Sequence, residues 1–297
     1  MHERKKERKK ERKKERKKER KNAGMKERRL AFMHESKHDE FMQTLMVYSE
    51  SGGVTKTTTA VSIAAIAASQ GRRTVLIDLD PRAASTKWLD VVPAEEGLHV
   101  GAILGDENPE GWAEDLAIQS SWFPELRIVP SARNVSNREA DRADHAELRL
   151  RTSLEGLNAD LVVIDCPNRQ GGPLTLSALN AADTILYASS ASGDGVDGVA
   201  GARRTVEQFR ASRHRIGAPA NLTEAGIVCG GVRETIMSRA ATASIDDLRD
   251  TGMLLVPLVP DRAIVQEVRL VGEWYGKYRK GAPVLNAYTE IVRQVIR

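Results

Sequence analysis

"SESGGVTKTTTA", residues 49–60, sets two glycines, a lysine and a run of threonines at the mouth of an Ala-rich helical stretch. Glycine lets a backbone approach phosphate closely, and successive N–H groups at a helix start make an anion nest. An ordinary phosphate loop reads G-x-x-x-x-G-K followed by Ser or Thr. Here Glu50 and Thr55 stand where that pattern wants glycine. The stretch is therefore either a Gly/Thr turn before a helix or a phosphate loop of altered kind. In the second reading Ser51, Gly52, Gly53, Val54, Thr55, Lys56, Thr57 and Thr58 wrap a phosphate chain. Lys56 places a point charge on the outer phosphates, and the Thr57 hydroxyl is available to Mg²⁺.

The neighbouring sequence supports the second reading. "TLMVYSE" (44–50) reads as a buried strand running into the loop, and a helix follows from about residue 56 to 70, stopped at Gly71. "RTVLIDLD" (73–80) is a second apolar strand, ended by Pro81. "LRIVP", "ADLVVIDCP", "TILYASS", "AGIVCGG" and "MLLVPLVP" are further short apolar runs, with helical stretches expected at 137–154 and 197–213. Strands apolar on both faces, alternating with helices, predict an α/β fold: a mostly parallel sheet with helices on both faces. One domain is expected over 44–297, preceded by an extension over 1–43.

In such a sheet ligands gather at the carboxyl ends of the strands. The second strand ends with Asp78 and Asp80, two residues apart and facing alike if the strand stays extended. A bend at Pro81 would leave Asp80 alone facing the site, where a carboxylate orients water near an outer phosphate. The alternative is an Asp that caps the following helix. "LVVIDCP" ends a buried strand in Asp165, suited to hold Mg²⁺, or else to cap a turn.

Composition bounds the rest. Hydrophobic residues make up 41% and aromatics 4%, which disfavours a nucleic-acid surface built on stacked rings. Two cysteines in separate apolar runs give neither a disulfide framework nor a zinc site, so a reducing cytoplasm is expected. The net charge of +4 hides two opposed parts: residues 1–21 contribute +9, and the remainder −5. That first segment repeats E-R-K-K without an apolar position, so it reads as a solvated tail or a lone helix. Its alternative role is a cationic arm for nucleic acid. Residues 22–43 lack the periodicity of a helix-turn-helix module.

Taken in order, these motifs resemble the ParA/MinD group of deviant Walker A P-loop ATPases, most closely the ParA plasmid and chromosome partition proteins. The loop K-G-G-V-G-K-T-T of that family aligns with "SGGVTKTT", its D-x-D-P-Q-G with "DLDPRAA", and its hydrophobic-I-D-C-P-P with "VVIDCPN". "TLSALNAAD" and "VPLVPDRAIVQE" resemble later family segments. The resemblance implies a P-loop NTPase fold and an ATPase that binds ATP-Mg²⁺ and forms an ATP-dependent homodimer. It further implies binding to non-specific DNA at the nucleoid and release by a ParB-like partner, with no membrane involved. By position, Gly52, Gly53, Lys56, Thr57 and Thr58 would hold phosphates and metal, Asp80 the water, and Asp165 Mg²⁺.

Two departures stand out. The family's signature lysine is replaced by Ser51, which supplies no charge, so another basic residue such as Arg82 is expected to substitute. Thr55 replaces a glycine, and a β-branched residue is costly at positive φ, so a reshaped loop is expected. DNA candidates are the cluster Arg203, Arg204, Arg210, Arg213, Arg215 and the run Lys277, Arg279, Lys280. Competing readings are a MinD-like membrane cycler anchored by "NAYTEIVRQVIR", a nucleotide-binding scaffold without brisk turnover, and a metabolic P-loop ligase. For the first, a packed terminal helix is the expectation.

Overall fold

A computed structural model describes residues 42–296, apart from 94 and 236. The E-R-K-K tail and the helix-turn-helix question fall outside those residues.

Seven strands form one sheet: β1 (Gln43–Tyr48), β2 (Thr74–Asp78), β3 (Ile118–Gln119), β4 (Leu126–Val129), β5 (Leu161–Asp165), β6 (Thr184–Ser190) and β7 (Thr223–Gly230). Their spatial order is β3-β4-β2-β5-β1-β6-β7. Every pairing is parallel except that of β3, a two-residue edge strand antiparallel to β4. The expected mostly parallel sheet is thus observed.

The strand sequences explain the layering. Side chains alternate across a sheet, and in β1 Met46 and Tyr48 enter one core while Leu45 and Val47 enter the other. All four are fully buried, and removing a side chain of this size from water contributes about 1.5–3 kcal/mol. On the Leu45 side lie α1 (Lys56–Ser69) and the helix at 282–295. On the other lie the helices at 173–181 and 193–215. Helix α1 is Ala-rich because it lies close against the sheet and is buried along most of its length. Its two deeply buried hydroxyls are satisfied: Thr59 Oγ1 shares a 2.9 Å hydrogen bond with Tyr288 Oη, and Ser62 Oγ accepts from Tyr275 Oη at 2.7 Å.

Two expected elements differ. "MLLVPLVP" is no strand; it meets the sheet through the isolated bridges Ile227–Leu254 and Val232–Pro260 and the 2.9 Å hydrogen bond from the Val259 N–H to the Cys229 carbonyl. Pro257 and Pro260 cannot donate to a ladder. The helix expected at 137–154 is broken into 3₁₀ turns at Arg133–Ala140 and Ala146–Leu148 and a short helix at Arg149–Ser153. Asp141 causes the break, because its Oδ1 accepts from the Ala143 N–H and diverts the backbone into a turn. The expected terminal helix does pack: Val284, Ala287, Tyr288, Ile291, Val292 and Val295 are buried in the core. Among the described residues no helix is long and apolar enough to cross a membrane.

The register positions the site. Asp78 lies beside Asp165, and Val47 beside Asp165 on the opposite flank. The ends of β2, β5 and β1 therefore meet at one edge, with the glycine loop directly above.

Candidate phosphate-binding site

The loop from Glu50 to Thr55 connects β1 to α1, and its residues Gly52 to Thr55 continue into α1 as one wall of a cavity of about 270 Å³. Gly52, Gly53, Val54, Thr55, Lys56, Thr57 and Thr58 line it, and Asp80, Arg82, Ala84, Asn168, Gln266 and Arg269 close it. Gly53 has φ +74° and open space where a Cβ would sit, whereas a Cβ on Gly52 would come 3.1 Å from Asn168 Nδ2. A backbone this bare at a helix start is what a phosphate needs.

Thr55 takes the left-handed conformation, φ 65°. The loop is not reshaped to spare it. Space is made instead by Gly230, where a Cβ would fall 2.6 Å from Thr55 Oγ1. Ser51, the position where a lysine was expected from the resemblance, turns inward. Its Oγ donates to the Asp194 carbonyl at 2.7 Å, at the start of the long helix α2 (Gly193–Arg215). Glu50 is docked on the same helix, accepting from Thr205 Oγ1 at 2.7 Å. Gly198 and Gly201 admit these contacts, since a Cβ on either would collide with Ser51 or Glu50.

Lys56 is buried and donates from Nζ to the Ser51 carbonyl at 2.5 Å. Burial pushes its ammonium down to about 8, against the opposing pull of Asp165 and then Asp80. Asp165 is fully buried; Ser85 Oγ donates to its Oδ2 at 2.7 Å, while Oδ1 has no hydrogen-bond partner. Burial raises its pKa, and the Ser85 and Thr57 hydroxyls oppose the rise. An orphaned carboxylate oxygen beside Thr57 fits a divalent cation.

The chain bends after Asp78, and the two aspartates part. Asp78 Oδ2 accepts from the Thr86 N–H and hydroxyl at 2.8 and 2.7 Å, and Oδ1 accepts from the Asp80 N–H at 3.2 Å. It is the capping Asp of the alternative reading. Asp80 faces the cavity, its Oδ1 accepting from the Arg82 N–H at 2.9 Å. Cys166 is buried core, its thiol held well above the usual range by burial.

Ser85, Asn168, Gln266 and Arg269 were not singled out as site residues by sequence reasoning. Only the i, i+3 spacing of Gln266 and Arg269, just after "VPDR", would have hinted that both look the same way. Three of the five arginines of the cluster on α2 are engaged, Arg203 and Arg210 with Glu224 and Arg213 with the Pro219 carbonyl, while Arg204 and Arg215 are exposed. Lys277, Arg279 and Lys280 are exposed.

The pattern that defines a family described as an AAA domain matches residues 42–216, more than half of the chain. The chain belongs to that family. Over 150 residues this AAA-domain protein is 36% identical to the chromosome partitioning protein ParA of Myxococcus xanthus, covering 48% of this chain and 50% of that one. The resemblance to ParA partition proteins read from the motifs is borne out. The chain spans between half and two thirds of the length of the first curated relatives it matches. Apo McdA from Cyanothece superposes with a TM-score of 0.73 at 21% identity, covering 86% of this chain and all of that one. That likeness is one of fold. The cobyrinic acid a,c-diamide synthase of Mycobacterium smegmatis, solved with ADP and magnesium, superposes with a TM-score of 0.66 at 26% identity, covering 85% and 93%.

Proposed function

We propose that this AAA-domain protein is an ATP-Mg²⁺-driven partition switch of ParA type. It binds ATP, dimerises, associates with non-specific DNA in the cytoplasm at the nucleoid, and segregates plasmid or chromosomal DNA with a ParB-like partner. One observation carries the reading: the glycine loop, Lys56, Thr57 and Asp80 line a single cavity at the carboxyl edge of the sheet, with Asp165 buried beside Thr57 and Lys56 at the end of β5.

In this reading the backbone N–H groups of Gly52 to Thr57 and the Lys56 ammonium hold the phosphates. Thr57 and Asp165 would hold Mg²⁺, which would supply positive charge beside the phosphates. Asp80, at the cavity wall, orients water. Asp78 keeps the Asp80 turn in place through Thr86. With Ser51 tied to the Asp194 carbonyl, hydrolysis is slow and awaits stimulation by DNA or partner. The exposed Lys277, Arg279 and Lys280 are the better candidates for DNA, because Arg203 and Arg210 are spent on Glu224.

The test is co-sedimentation with random-sequence DNA in ATP-Mg²⁺, in ADP-Mg²⁺ and without nucleotide, using the chain from Met42 so that the basic repeat does not bind DNA by itself. ATP-specific sedimentation that Lys56→Ala abolishes is the expected result. Sedimentation indifferent to nucleotide sinks the switch, and turnover tied to a small substrate instead of DNA favours a metabolic ligase.

A further inference from the structure

Phosphate needs positive charge around it, and little of this cavity's charge is free to give. Lys56 is held by the Ser51 carbonyl and drawn by Asp165 and Asp80. Ser51 is neutral and its hydroxyl is engaged with Asp194. Two guanidiniums remain in the wall, Arg82 and Arg269. Arg82 is exposed on the turn after Asp80, and among the described residues its side chain has no hydrogen-bond or ion-pair partner.

Arg269 differs. It sits on the helix Ala263–Leu270, one turn beyond Gln266, and both line the cavity opposite the glycine loop. Among the described residues it has no ion-pair partner. Its guanidinium lies 5.8 Å from the centroid of Trp88, whose indole is fully buried and held by a 3.0 Å hydrogen bond to the Glu273 carbonyl. A cation–π contact with an aromatic face helps order a guanidinium without neutralising it, and the planar fork suits phosphate oxygens. Trp88 also sits in the helical turn Ala84–Trp88 that follows the Asp80 loop. Arg269 thus joins the nucleotide wall to the cluster Trp88, Trp122, Trp274 and Tyr275.

We propose that Arg269 is a phosphate-contacting residue of this cavity, supplying from within the same chain the charge that Ser51 does not, and that it leaves the Trp88 face when it engages. The inference rests on the nucleotide reading above. It makes the aromatic cluster a built-in reporter of occupancy, with Arg269 as the link.

The experiment titrates the full-length protein with ATP-Mg²⁺, following binding by calorimetry and Trp emission in parallel. Wild type is expected to bind and to change its emission. Arg269→Ala is expected to lose about tenfold or more in affinity, the scale of one charge-assisted contact, and to lose the emission change. Arg269→Lys, which keeps the charge but not the planar guanidinium fork, is expected to recover part of the affinity and none of the optical response. It also guards against a misfolded alanine variant. Wild-type affinity in Arg269→Ala, or a larger loss in Arg82→Ala, overturns the assignment while leaving nucleotide binding intact. Absence of ATP binding by the wild type itself brings down both readings together.

Discussion

Thr55 and Gly230 are fitted to each other: the threonine holds φ 65° in the phosphate loop, and a Cβ on the glycine would lie 2.6 Å from the threonine hydroxyl. A left-handed L-residue costs about 1–2 kcal/mol, so the loop carries strain at its tightest point. Gly230→Ala should destabilise the protein by about 1–3 kcal/mol through overpacking. Thr55→Gly should change stability by less than about 1 kcal/mol, since relief of strain is offset by unfolded-state entropy. The double variant should recover most of the Gly230→Ala loss. A urea-denaturation cycle measures this, and additive effects would show that the two residues do not share the space.

Asp78 and Asp80 should separate cleanly under mutation. Asp78→Ala strips the acceptor from Thr86 and from the Asp80 N–H. A loss of about 3 kcal/mol or more is expected. Asp80→Ala, at the cavity wall, should leave the melting temperature near wild type while removing ATP turnover. Equal destabilisation by both would refute the bend as the origin of their different roles.

Asp165→Asn should strengthen the free fold and weaken the loaded one. Burial already raises the Asp165 pKa, so removing its charge relieves a desolvation cost in the free protein. The same change takes away the charge that Mg²⁺ requires. A higher melting temperature without nucleotide, together with loss of the Mg²⁺-dependent gain in ATP affinity, is the expected pair of results. A lower melting temperature without nucleotide contradicts it.

The Lys56 ammonium, near 8 when the cavity is free, sets a pH dependence. A polyanion favours its protonated form. Below pH 8 the proton is already present, and affinity for ATP should be flat. Above pH 8 binding must take up a proton, so affinity should fall by up to about tenfold per pH unit, until the pKa of the bound state is reached. Calorimetry in buffers of different ionisation enthalpy would detect that uptake. Lys56→Arg should flatten the profile, and an unchanged profile in that variant would assign the titration elsewhere.

How far the sequence was legible follows from what each residue contacts. The Gly-Lys-Thr loop, Asp80 and Asp165 are each read from a strand end, and parallel order brings strand ends together. Whether Asp78 or Asp80 faces the site depended on a bend that no local pattern dictates. Arg269 and Asn168 reach the cavity from distant segments, so periodicity alone could not place them. The Arg cluster on the long helix misled because charge composition does not reveal Glu224, which lies on the neighbouring strand β7. "MLLVPLVP" misled for a different reason: apolar character predicts burial, while its prolines deny it a ladder.

The hydroxyl contacts of Thr59 with Tyr288 and Ser62 with Tyr275 have a temporal side. Ribosomes make chains from the amino end, so the glycine loop and its helix emerge long before the segment 275–295 that covers them. Until then that helix has an uncovered Ala-rich flank and unanswered hydroxyls, and its start cannot be held firmly. In the nucleotide-binding reading, capture is therefore expected only once the segment 275–295 has emerged. A stalled nascent chain ending before Tyr275 would carry every phosphate-loop residue and still not retain ATP.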